Sequence, residues 1–258
     1  MRVTGAALAV AAALGAAGVL FAVQRAGASP EVRQQAAPSP ELVARGQALY
    51  LTGCVSCHGV DGVGTDQAPT LVNAGAASAS FYLTTGRMPA AQGQPFQPPR
   101  KQPAYSQPDI DALVAYVASL GDGPPIPDVD IVGADIAGGG VLYRANCASC
   151  HQSAGAGGAL SYGQTAPQLK YATAQQVVEA MRTGPGEMPV FNEQTITEEQ
   201  ANGIAAYVQY LRDPDDRGGA ALGGNGPVPE GLVALVVGVG GLIVISVMIV
   251  GIRRGLRT

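Results

Sequence analysis

Cys54-Val55-Ser56-Cys57-His58 and Cys147-Ala148-Ser149-Cys150-His151 decide the fold of this chain. Together they hold all four cysteines and both histidines of its 258 residues. C-x-x-C-H is the attachment pattern of a c-type haem. Two thiols one short turn apart reach the two vinyl groups of one porphyrin, and the adjacent His lies under the iron as proximal ligand. Disulfides or a redox-active C-x-x-C pair would need no His in the next position. A tetrahedral zinc site would accept Cys and His but usually gathers half-sites close in sequence. These motifs start 93 residues apart. The reading is two covalently bound haem c groups, at Cys54/Cys57 and Cys147/Cys150.

Working outward, each motif sits in an internal repeat. Gly46-x-x-Leu49-Tyr50 precedes Cys54 by the same spacing as Gly139-x-x-Leu142-Tyr143 precedes Cys147. Ala68-Pro69-x-Leu71 and Ala166-Pro167-x-Leu169 follow, then Arg87-Met88-Pro89 and Glu187-Met188-Pro189. Each copy ends in apolar residues at helical spacing, Leu113 to Leu120 and Ile204 to Leu211. Ser39-Pro40-Glu41 reads as a helix start, and Thr197 with Gln200 as a capping box. Helix, haem motif, loop, Met and helix make one unit of about 80 residues, occurring twice. A domain that small buries little apolar surface, so the haem itself fills each core.

With both His used, Met is the remaining soft ligand for the far side of each iron. The repeat aligns Met88 with Met188, whereas Met181 lies on a helical apolar stripe and reads as core. The metal-ligating set is therefore His58 and Met88, and His151 and Met188. The carbonyls of Pro69 and Pro167 are placed to accept from the free ring N–H of His58 and His151. Arg87, Arg100 and Lys101 in the first copy, and Arg182 and Lys170 in the second, are candidate partners for haem propionates; a solvated surface accounts for them nearly as well. Met/His ligation closes the iron and raises its potential, which favours electron transfer over oxygen chemistry. The sequence offers no catalytic constellation, so no catalytic residue is assigned.

Composition agrees. Charged residues make 13% and apolar ones 47%, too few charges and too many apolar groups for a disordered tail. Gly is abundant but has no period of three, which excludes collagen. A net charge of −4 argues against nucleic-acid binding. Val3–Val23 and Leu232–Ile252 are each 21 residues without a charge, roughly 30 Å as helix and long enough to span lipid. The second run ends in Arg253, Arg254 and Arg257 and reads as a transmembrane helix with a cytoplasmic C-terminus. The first reads as either an uncleaved anchor or a signal, with Ala26-Gly27-Ala28 as a cleavage site. Either exports the middle of the chain, where 10 basic against 19 acidic residues leave a net charge of −9.

The expected order is a segment over 1–28, a domain over 39–121, a Pro/Asp-rich linker over 122–136, a second domain over 137–212, a flexible tether over 213–230, a membrane helix over 231–253 and a tail over 254–258. The linker reads as a semi-rigid extended spacer made acidic by Asp122, Asp128, Asp130 and Asp135. The Pro-rich run from Pro89 to Gln107 reads as an exposed loop.

The fold class is mainly α, and each exported copy resembles a class I cytochrome c domain along its whole length. Two such domains followed by a membrane helix resemble the dihaem cytochrome cc subunit of the actinobacterial cytochrome bc complex. That resemblance implies electron uptake from the Rieske iron–sulfur subunit beside a cytochrome b subunit, delivery to an aa3-type oxidase, a quinol upstream, and a plasma-membrane site with the domains outside. It also implies an electron-transfer subunit of quinol–cytochrome c reductase. A dihaem subunit of another membrane oxidase or dehydrogenase, such as a cbb3-type enzyme, is the alternative.

Overall fold

Gly46 and Gly139 explain how the two copies fold. The computed structural model describes residues 38–91, 97–214 and 231–255. In the first half, helix α1 (Pro40–Gly53) crosses α4 (Gln107–Ala118); in the second, α5 (Ile136–Asn146) crosses α8 (Glu198–Tyr210). A Cβ on Gly46 would run into the carbonyl of Ala112, and one on Gly139 into the carbonyl of Gly203. Only glycine lets the backbones approach this closely. One helical turn on, Tyr50 packs on Tyr116 at 5.0 Å between ring centres, and Tyr143 on Tyr207 at 5.3 Å.

The helix starts follow from local chemistry. The Ser39 side chain caps α1 by accepting from the Leu42 N–H, with Pro40 in the first turn. Thr197 and Gln200 form the expected capping box on α8, and Thr173 with Gln176 forms another on α7 (Ala174–Thr183). Short helices α2 (Val55–His58) and α6 (Ala148–His151) carry the His of each motif. Helix α3 (Gly75–Thr84) completes the first half and α7 the second. Among the described residues the second half alone carries a two-stranded antiparallel hairpin, β1 (Gly158–Ala159) and β2 (Thr165–Ala166), paired Gly158 with Ala166. It takes up the longer path there: 16 residues separate His151 from Pro167, against 11 from His58 to Pro69.

The halves are joined. The described residues of the two halves form one compact unit, in which α3 packs against α7. Ser80 donates to Glu179 at 2.7 Å, Gln176 to Thr84 at 3.2 Å and Arg100 to Gln176 at 2.9 Å. The run from Gly121 to Ile136 is no free spacer. Its Asp122 N–H donates to Asn73, Pro124 accepts from the Ala77 N–H, and Pro127 accepts from Gln175. Ile126 packs on the first core while Val129 and Ile131 pack on the second. Asp135 leaves the acidic strap to cap α5. Extended Pro-rich backbone has unpaired carbonyls to offer, and both halves use them.

Gly231–Ile252 is a helix of 22 residues with mean hydropathy 2.9 and no buried share, π-helical over Ala234–Val239 and continuing as α9 (Gly240–Gly255). An all-round apolar surface on an unpacked helix suits lipid. The expected N-terminal apolar segment, residues 92–96 of the Pro-rich loop, residues 215–230 of the tether and the last three residues lie outside the described residues.

Candidate functional site

Each C-x-x-C-H motif is set by a helix end. The α1 helix stops at Gly53 and α5 at Asn146, and the chain turns at once into the short His-bearing helix. The repeated spacing of Tyr then has a structural reason. Tyr50 donates to the carbonyl of Gly59 at 2.6 Å, and Tyr143 to that of Gln152 at 2.7 Å. In both halves a buried phenol thus fixes the residue immediately after the His.

His58 Nδ1 lies 2.9 Å from the Pro69 carbonyl, and His151 Nδ1 lies 2.9 Å from that of Pro167. A carbonyl can only accept, so Nδ1 carries the proton and Nε2 keeps its lone pair for a ligand. Burial lowers the His151 pKa against the opposing effect of the Pro167 bond, which favours the neutral ring. Burial pushes the Cys147 thiol up to about 11, with Cys150 adding to it, and moves Cys54 the same way with Cys57 adding. All four thiols are free of disulfides. Among the described residues no three of His, Cys, Asp and Glu gather round a common point.

In the second half the expected residues converge. Cys147, Cys150, His151, Pro167 and Met188 line one cavity of about 370 Å³, within the range typical of cofactor sites. Met181 is 1% exposed and belongs to the apolar core, and it lines the same cavity. In the first half, Cys54 and Met88 pack on one apolar cluster built on Tyr50, Leu83 and Leu113.

The basic residues are placed differently from the sequence grouping. Arg182 donates to the carbonyls of Phe191 and Ile196, both at 2.8 Å, and so fastens the loop between α7 and α8. Lys170 is exposed and outside the cavity wall. Lys101 turns to the Pro89 carbonyl at 3.3 Å. Arg87 and Arg100, from the first half, line the cavity of the second. The Pro-rich loop is likewise more than an exposed loop, since Pro98 is buried and forms part of that wall. Glu179 had no signal in sequence. It is fully buried, accepts from Ser80 and Gln175 on Oε1 and leaves Oε2 without a partner among the described residues.

Residues 43–121 match the family model described as "Cytochrome c", and residues 134–208 match "Cytochrome C oxidase, cbb3-type, subunit III". Curated relatives span both halves. One from Mycobacterium bovis, the "Cytochrome bc1 complex cytochrome c subunit", is 42% identical over 219 residues, 81% of this chain and 78% of its own. One of the same name from Mycobacterium leprae is 41% identical over 81% of this chain and 75% of its own. A third, from Corynebacterium diphtheriae, is 36% identical over 92% and 90%. The residues fit the cofactor that cytochrome c domains imply: paired thiols, an imidazole with Nε2 free, an apolar cavity, and on its wall an arginine, Arg87, with unpartnered guanidinium nitrogens.

Proposed function

The chain belongs to the family of cytochrome c subunits of cytochrome bc1 complexes, and from that premise we propose that it is a membrane-anchored dihaem electron relay. Cys54, Cys57, His58 and Met88 would hold one haem, and Cys147, Cys150, His151 and Met188 would hold the other. When bound, such a group supplies one-electron exchange at iron. The chain's own residues do the rest. Tyr50 and Tyr143 hold the backbone after each His, Pro69 and Pro167 fix each ring's tautomer, and the apolar cores exclude water. The observation that carries the reading is the single cavity gathering Cys147, Cys150, His151 and Met188, together with the same His–carbonyl bond in both halves.

The first half takes electrons from the Rieske iron–sulfur subunit beside cytochrome b, and the second passes them to an aa3-type oxidase. The subunit serves quinol–cytochrome c reductase as an electron carrier without a catalytic site of its own. Domains over 39–121 and 137–212 lie on the extracytoplasmic side, held by the helix over 231–253, with the tail over 254–258 in the cytoplasm. The match of residues 134–208 to a cbb3-type subunit favours a second reading, a carrier of another membrane oxidase. The relatives that cover both halves weigh against it.

Replacing Cys147 and Cys150 by Ala in the assembled complex tests the relay. The expected outcome is a first haem still reducible by quinol and oxygen uptake reduced to background. Unchanged oxygen uptake contradicts the order.

A further inference from the structure

Arg87 is 5% exposed, yet its Nε and Nη1 have no hydrogen-bond partner among the described residues. Its guanidinium stacks on Phe81 at 5.0 Å and lines the cavity that holds Cys147, Cys150 and His151. The backbone around it is pinned. Thr85 Oγ1 donates to the Phe81 carbonyl, the Met88 N–H to that of Tyr82 at 3.1 Å, and the Lys101 N–H to that of Thr85 at 3.1 Å. Arg100 stands at the rim of the same cavity and donates to Gln176 on α7.

A buried guanidinium with unsatisfied donors is costly unless an anion meets it. Arg87 and Arg100 line the same cavity, so two cations share it. Glu187 is the carboxylate of the cavity wall, and it is exposed. Among the described residues no ion pair joins it to either arginine. The missing partner is therefore an anion belonging to whatever fills the cavity. A guanidinium fork matches a carboxylate in geometry and charge.

We propose that the first half completes the cofactor site of the second: Arg87 and Arg100 reach across the interface to hold the propionate carboxylates of the haem anchored at Cys147 and Cys150. This rests on the two-haem reading above. It makes the second half an incomplete cytochrome on its own. It also places the arginine that holds the second haem one residue from Met88, the distal ligand assigned to the first. Positive charge beside a haem favours the reduced state, so the first half helps to set the second haem's potential.

Redox titration of the full chain from pH 6 to 8 tests this, the second haem being the component missing from the Cys147→Ala/Cys150→Ala variant. Arg87→Gln and Arg100→Gln should each keep two haems by mass, lower the second haem's midpoint potential and steepen its dependence on pH as a propionate begins to titrate. Arg87→Lys should restore part of the shift, and the exposed control Lys170→Gln should leave both potentials in place. If Arg87→Gln fails to fold, Arg100→Gln carries the test, since it adjoins no ligand. The proposal is overturned if the second haem's potential and pH slope are unchanged, or if only the first haem moves. Fewer than two haems by mass in the unaltered chain would instead overturn the two-haem reading itself.

Discussion

Glu179 shows how much a single residue decides at the interface of the halves. Its carboxyl has no exposed surface, and burial pushes it up to about 7 while the bonds from Ser80 and Gln175 pull it down. A folded pKa above the unfolded carboxylate value means that the folded state binds the proton more tightly. The stabilising contribution is complete below about pH 4.5 and is lost as pH rises through about 7. Glu179→Gln removes that dependence while keeping an acceptor for Ser80. Relative to the native chain, the variant should gain up to about 3 kcal/mol between pH 5 and pH 8. Denaturant unfolding of the haem-loaded protein at the two pH values measures it, and an equal difference at both would contradict the upward shift of the Glu179 carboxyl.

At the scale of elements, the two helix crossings depend on one glycine each. Gly46→Ala and Gly139→Ala gain about 1 kcal/mol of helix propensity. Each forces a methyl against a backbone carbonyl, an overpacking cost of about 1–3 kcal/mol with little room to relax. Both variants should therefore melt at lower temperature, whereas Gly241→Ala, with open space around it, should not. A rise in melting temperature for either crossing variant would contradict the geometry. The repeat was legible in the sequence because glycine and tyrosine recur at fixed spacing before each motif, and caps such as Thr197 with Gln200 are local; that the glycines mark helix crossings needed the structure. The pairing of α3 with α7 was not legible either. Ser80 and Glu179 stand 99 residues apart and neither breaks a local pattern. For the same reason the sequence grouped Arg87 and Arg100 with the first copy, although both line the cavity of the second.

For the whole molecule, the stretch between the two apolar runs is acidic and leads to a helix that suits lipid. A soluble carrier finds its partners by diffusion and electrostatic steering, which salt weakens. A tether replaces diffusion with a high effective concentration. Turnover from quinol to oxygen in the intact assembly should change less than about twofold between about 0.01 M and about 0.15 M ionic strength, with no added soluble cytochrome. A steep fall with salt, or a need for a soluble carrier, would contradict a built-in relay. The joined halves add to this economy, since the strap from Gly121 to Ile136 is bonded to both and fixes them side by side. Every part of this account depends on two covalently held haems, and the mass of the intact purified chain tests that most directly. The account predicts the polypeptide plus two haem groups, with the colour staying on the protein through acid–acetone extraction; a mass with fewer than two, or haem released by the extraction, would contradict it.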